Sequence, residues 1–216
     1  MFAKKYVLEA IGTAILTLSI LLTNNPMATG FLWASLLIIR NNKSHGYFNL
    51  AITCSLYAAR YISMKQAALF CIYQVLGSLA ALISFKYISG SYFAPDATIV
   101  SSFSLLNVIE GLSTLIVCLT ILAVYTVNKE HNASSHVHTA LISATTLIGL
   151  QTIGAIVYPS FGCAVLLSTF FDISNELFIQ QLRINIHYSL IYCIVPMAMG
   201  LCSYQLKRWI DEPEVF

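Results

Sequence analysis

The chain has 216 residues, 58% of them hydrophobic and 9% charged, with a formal net charge of +2 and a mean hydropathy of +0.78. Soluble domains carry roughly a quarter charged residues, so this composition excludes a water-soluble globule and makes lipid the solvent. The small net charge gives no footprint for nucleic acid.

In chain order, Lys4 and Lys5 precede an apolar run from Tyr6 to Leu22 that contains Glu9. No Ala-x-Ala-type site closes the run and further apolar spans follow, so it reads as a first transmembrane helix rather than a cleaved leader. Span one is expected from about Lys5 to Thr23, ending at Asn24-Asn25-Pro26. A short span two runs from about Met27 to Arg40. Asn41-Asn42-Lys43-Ser44 is a polar hinge, and His45 precedes the break that follows. A half-length apolar helix runs from Asn49 to Ala59. Ser63 is the expected N-cap of a long helix from Met64 to Ile88 that contains Gln74 and Gly77. Ser89 to Ser102 reads as a loop, broken by Gly90, Pro95 and Asp96.

The second half repeats this order. A long helix is expected from about Leu105 to Val127, then a polar stretch from Asn128 to His136. Span five runs from about Val137 to Ile153. A break from Gly154 to Ser160 leads to a half-length run, Phe161 to Phe171. Asp172 to Arg183 is a polar connector, and Ile184 to Leu206 is the last span, anchored by Lys207-Arg208. Glu9, Thr13, Ile15, Leu18 and Ile20 match Glu110, Thr114, Ile116, Leu119 and Ile121 at a constant offset of 101 residues. Each half holds three full spans, an odd number, so the second copy enters from the opposite face. The reading is an all-α membrane protein, one transmembrane domain over residues 1–216, with six spans, two re-entrant half helices and inverted repeats at about 5–89 and 104–207. With the N-terminus inside, nine of the eleven basic residues lie on one side; only Lys86 and Arg183 lie on the other. That bias places both termini in the cytoplasm, with the plasma membrane as the expected location.

The six cysteines, Cys54, Cys71, Cys118, Cys163, Cys193 and Cys202, form no CxxC and lie in apolar runs, so each is expected to be a small buried hydrophobe with no disulfide framework. His131, His136 and His138 fall in a polar segment with Glu130 as the nearest acid, which does not make a metal site. Asn132-Ala133-Ser134 fits a glycosylation sequon but falls on the cytoplasmic side. No Ser–His pair, HExxH or Asp dyad stands at helix depth, so the sequence points away from an enzyme and implies no cofactor.

One stretch organises the rest. His45-Gly46-Tyr47-Phe48-Asn49-Leu50-Ala51-Ile52-Thr53, followed by Arg60-Tyr61-Ile62-Ser63-Met64-Lys65-Gln66-Ala67, resembles the first half-helix region of the major intrinsic proteins, the aquaporin and glycerol-facilitator family. The family string is Gly-x-Phe-Asn-Pro-Ala-Val-Thr, then Arg-x-Ile-x-x-Lys-x-Ala. Glu9 with Gly12-Thr13 resembles the first helix of that family, Gln74 with Gly77 the third, Glu110 with Thr114 the fourth, and Tyr192, Pro196, Gly200 and Tyr204 the sixth. The first motif, Asn49-Leu50-Ala51, lacks its Pro. The second is degenerate: Tyr158-Pro159-Ser160 replaces Asn-Pro-Ala, and Phe161 falls where the family carries Arg. A second register sets Ser160-Phe161-Gly162 on the family's Ser-Phe-Gly and puts Pro159 at the Arg position. The first register keeps Pro at the half-helix start and is preferred.

The resemblance implies an aquaporin-like fold, a homotetramer in the bilayer and passive conduction of water or small neutral, glycerol-like solutes. Two half-helix N-termini meeting at the membrane centre would set up a field that repels cations. Asn49 would offer its amide to the solute. Tyr158 brings a phenol to the narrowest region, either as a plug or turned aside as a cap, and Phe161 removes a guanidinium. By family spacing Thr29, Thr146, Ala155 and Phe161 form an uncharged outer constriction. Glu9 and Glu110 are expected to hold re-entrant backbone rather than relay protons. Gly77 and Gly200 are expected to permit close helix packing. The competing reading is a non-conducting structural or interacting membrane protein of the same fold.

Overall fold

The computed structural model describes residues 2–40, 47–90, 93, 95, 103–130, 136–152, 155–171 and 178–212. Every regular element among them is helical: α1 Phe2–Thr23, α2 Pro26–Arg40, α3 Leu50–Ala58, α4 Met64–Ser89, α5 Phe103–Glu130, α6 His136–Thr152, α7 Pro159–Ser168, α8 Phe178–Ser189 and α9 Val195–Asp211. A 3-10 turn, Thr169–Phe171, follows α7. A π turn, Leu190–Ile194, joins α8 to α9 in one long rod.

The helix ends follow from local chemistry. Asn24 adopts a left-handed φ of 45° and its N–H closes α1 on the Ile20 carbonyl. The Asn25 Oδ1 then accepts from the Met27 and Ala28 N–H groups at 2.9 and 3.2 Å, with Pro26 opening α2 where its missing N–H costs nothing. Ser63 is the N-cap of α4, as its sequence predicts, and the structure adds a reciprocal capping box with Gln66. Gly90 ends α4 at φ 77°, donating its N–H to the Lys86 carbonyl. Val195 donates to the Leu190 carbonyl and so closes the π turn one residue before Pro196, which has no N–H to give.

The amphipathic sense is inverted relative to a soluble bundle. On α1, Glu9, Thr13 and Thr17 are fully buried while Val7, Ile11 and Ile15 are exposed. On α5, Glu110, Ser113 and Thr114 face inward and Val108, Leu112 and Ile116 outward. Polar side chains inside and aliphatic ones outside is the pattern of a molecule in lipid. Among the described residues, four helical stretches are long and apolar enough to cross a membrane: Lys4–Thr23, Met64–Ser89, Ser104–Thr126 and Ile179–Asp211. The other two expected spans are shorter, 15 residues for α2 and 17 for α6, at or below the lower end of the ~17–25 that span a bilayer. These apolar helices make the chain an integral, multi-pass membrane protein of all-helical fold.

α1 packs on α4, α5 on α9, and α2 on α6; the short helix α3 lies against α9, and the short helix α7 against α4. Two of these contacts need glycine. A Cβ on Gly77 would stand 2.2 Å from the Ala10 carbonyl oxygen of α1, and one on Gly200 would stand 2.2 Å from the Ala51 carbonyl oxygen of α3. Both glycines therefore let helix backbones touch, as expected of them.

The cysteines depart from expectation. Cys163 of α7 and Cys193 of the π turn are paired as a disulfide. The short helix lies directly against that turn, which brings the two Cα atoms to 5.8 Å, within bridging reach. Of the other four, Cys118 is buried, Cys54 and Cys71 are half-buried, and Cys202 is exposed. The expectation of six isolated buried fillers holds only for Cys118.

Candidate functional site

Two loops, each leading into a short helix, meet inside the bundle. The first runs through Tyr47 and Phe48 into α3. Both residues are left-handed, with φ of 55° and 57°, a conformation that non-glycine residues seldom adopt. Their surroundings hold them there. Glu9 accepts the Phe48 N–H at 2.7 Å and the Gln74 side-chain N–H at 2.8 Å. The Trp33 indole donates to the Tyr47 carbonyl at 3.2 Å. The second loop, residues 155–158, leads into α7. Its Val157 is also left-handed, at φ 56°, an outlier for a β-branched side chain. Glu110 holds this loop by accepting the Ile156 N–H at 2.8 Å and the Val157 N–H at 2.5 Å. An uncompensated conformation of this kind costs about 1–3 kcal/mol, and a buried carboxylate needs donors. Each glutamate meets both needs at once.

Asn49 joins the loops. Its Oδ1 caps α3, accepting from the N–H groups of Ala51 at 2.9 Å and Ile52 at 3.3 Å. Its Nδ2 donates to the Val157 carbonyl at 2.6 Å. One N–H that the sequence assigned to a passing solute is therefore spent on the opposite loop. Leu50 and Ala51 are buried in the first turn of α3, and Thr53 donates its hydroxyl to the Asn49 carbonyl at 2.9 Å.

Pro159 is the first residue of α7, where its missing N–H is harmless. Tyr158 precedes it and makes no side-chain cap. The Tyr158 ring is fully buried, and its hydroxyl has no hydrogen-bond partner among the described residues. The Ser160 hydroxyl is likewise buried and unpartnered. Phe161 lies 5.1 Å from the Phe93 ring and 5.8 Å from the Tyr188 ring, centroid to centroid. Tyr188 in turn lies 4.5 Å from Tyr192. Phe161, which the family spacing sets at the outer constriction, thus stands in an aromatic cluster with Phe93, Tyr188 and Tyr192.

The other constriction residues divide. Thr29 and Ala155 line a common cavity of ≈270 Å³ with Asn24, Gln151 and Ile156. Thr29 donates to the Asn25 carbonyl at 3.2 Å and pairs with the Ser19 hydroxyl at 3.4 Å. Thr146 turns back on its own helix, donating to the Ile142 carbonyl at 2.8 Å, and neither it nor Phe161 lines the cavity. Ile156 is part of the cavity wall, and the next two residues, Val157 and Tyr158, are fully buried.

His45, Gly46, His131, Gly154 and the sequon at 132–134 lie outside the described residues, as do the side chains of His136 and His138. Among the described residues no group of three or more His, Cys, Asp or Glu side chains is placed to hold a metal. Sequence reasoning missed two parts of the site. One is Trp33, whose N–H in an apolar span had to find a buried acceptor. The other is the Asn49–Val157 bond, which no local pattern announces.

The comparisons agree with this geometry. No curated protein sequence matches the chain. The family model described as Major intrinsic protein matches residues 2–203, nearly the whole length and both loops. The chain belongs to the major intrinsic protein family, whose members are channels for water or small solutes.

Proposed function

We propose that this protein is a passive channel for water or small neutral, glycerol-like solutes, and that Tyr158 sets its conductance. The observation that carries the reading is the paired construction of Glu9 with the Phe48 loop and Glu110 with the Val157 loop, each aiming a short helix inward. Two helix N-termini at the membrane centre disfavour cations and leave neutral molecules as cargo. Thr29 and Ala155 form the mouth on one side. Neither Thr29 nor Ala155 carries a charge, which suits a less polar solute better than strictly selected water. The matching helix pairs, α1 with α4 and α5 with α9, support inverted repeats at about 5–89 and 104–207. The bias of basic residues supports cytoplasmic termini, and family membership supports a homotetramer in the plasma membrane.

The second reading is a non-conducting structural protein of this fold, for which the relevant features are the full burial of Tyr158 and the Asn49 bond to the Val157 carbonyl. Stopped-flow light scattering on proteoliposomes decides between them. Under an osmotic or glycerol gradient a channel shrinks or swells faster than empty vesicles. Rates equal to empty vesicles for both the wild type and Tyr158→Ala, with insertion verified, would leave only the structural role.

A further inference from the structure

A second cavity of ≈310 Å³ lies far from the two loops, at the opposite ends of α5 and α9. Tyr61 and Leu122 form one side of it, and Tyr204, Lys207, Arg208, Asp211 and Glu212 of the last helix form the other. It opens where two spanning stretches end, at Thr126 and Asp211, so it sits at the level of the membrane–water interface. Aromatic and basic side chains are the usual anchors at that depth. The Tyr61 ring is further held by the Tyr125 ring at 4.4 Å.

The charges in this cavity are ordered. Lys207 and Arg208 come first as α9 leaves the membrane, and Asp211 and Glu212 follow one turn later, ~5–6 Å farther out. The cations pair with the carboxylates along the helix, Lys207 with Asp211 at 2.6 Å and Arg208 with Glu212 at 3.4 Å. Three of these four side chains are more than half exposed, and such i,i+4 pairs are weak and easily exchanged for better partners. We propose that this cavity is a binding site for the headgroup of a phospholipid that carries a primary ammonium, of the phosphatidylethanolamine type. The phosphate of such a lipid lies nearer the bilayer and its ammonium farther out, the same order as the basic and acidic pairs of α9. Tyr61 and Tyr204 flank the charged groups, with the buried Leu122 beneath them. The ammonium N–H groups suit two carboxylates; a quaternary choline nitrogen has no N–H to donate, and an uncharged glycerol headgroup leaves both carboxylates without a cation.

The test is lipid binding to the purified full-length protein, read by native mass spectrometry and by the lipid-dependent shift in thermal unfolding. The probes are phosphatidylethanolamine, phosphatidylcholine and phosphatidylglycerol of matched chains, with soluble phosphoethanolamine as a further arm. The expected result is phosphatidylethanolamine bound about three- to tenfold more tightly than the other two lipids, and phosphoethanolamine more weakly than the lipid. The double variant Asp211→Asn, Glu212→Gln is expected to reverse the order in favour of phosphatidylglycerol, a change that unfolding cannot produce. Equal binding of the three lipids, or a preference for phosphatidylglycerol in the wild type, overturns the proposal. So does phosphoethanolamine binding as tightly as the lipid, which would assign the cavity to a soluble zwitterion.

Discussion

The side-chain amide of Asn49 donates to the Val157 carbonyl at 2.6 Å across 108 residues of chain. The same side chain caps α3 through its oxygen. One residue therefore fixes the start of a short helix and ties it to the opposite loop, and the two roles separate by substitution. Asn49→Ser keeps a capping oxygen but is too short to reach Val157, whereas Asn49→Ala loses both functions. A helix cap contributes about 0.5–2 kcal/mol and a net hydrogen bond about 0.5–1.5. Thermal unfolding in detergent is expected to rank wild type above Asn49→Ser, and Asn49→Ser above Asn49→Ala by about 1 kcal/mol. Equal stability of the two variants would remove the capping role.

The glutamates make a parallel case. Glu110→Leu leaves the Ile156 and Val157 N–H groups without their acceptor, and Val157 loses what holds its φ of 56°. Each orphaned buried donor costs about 1–3 kcal/mol. The variant is expected to lose stability by more than about 2 kcal/mol, as seen in the temperature at which size-exclusion chromatography no longer recovers a single peak. A proton-relay role would instead leave stability near wild type and alter only transport.

Much of this was readable from residues. Ser63 with Gln66 announces the head of α4, and the recurrence of Glu9 at Glu110 announces two loops needing an internal acceptor. What escaped depends on chain segments far apart. Cys163 and Cys193 sit in apolar runs, and only the packing of α7 on the π turn brings them together. Tyr47, Phe48 and Val157 have no local preference for positive φ; the distant carboxylates override their propensities. Phe161 aligns with a pore-lining charge, yet an apolar ring finds better partners in Phe93 and Tyr188 than in an aqueous path.

The glycine contacts predict a graded series. Gly77→Ala and Gly200→Ala each drive a methyl to within 2.2 Å of a carbonyl oxygen on a neighbouring helix. Backbone cannot yield as a flexible side chain can, so the helices must separate, at an overpacking cost of about 1–3 kcal/mol or more. Gly149 in α6 has no atom within 4 Å of its added Cβ. Gly149→Ala is expected to be neutral or to gain up to about 1 kcal/mol from helix propensity. Yields of folded, monodisperse protein for the three variants check the order.

Cysteine pairing makes a chemical prediction. With Cys163 joined to Cys193, denatured protein that has never met reductant should take up four maleimides, on Cys54, Cys71, Cys118 and Cys202. After reduction it should take up six. Intact mass spectrometry reads the difference directly, and six adducts without reductant would show the pair to be thiols.

Tyr158 carries the last prediction, in two substitutions with opposite purposes. Its hydroxyl is fully buried and has no partner among the described residues, so it gives up hydration without a compensating bond from them. Tyr158→Phe removes that group while keeping the ring, and is expected to raise the unfolding temperature with no rise in permeability. Tyr158→Ala removes the ring itself, next to the Val157 carbonyl that Asn49 holds and three residues from Ala155 in the cavity wall. Its proteoliposomes are expected to exceed wild type in osmotic water permeability by several-fold. The alanine variant also leaves a void, and a large-to-small core change costs about 3–5 kcal/mol, so its insertion and monodispersity must be verified first. A correctly inserted Tyr158→Ala protein that conducts no better than a conducting wild type would mean that Tyr158 does not set the conductance.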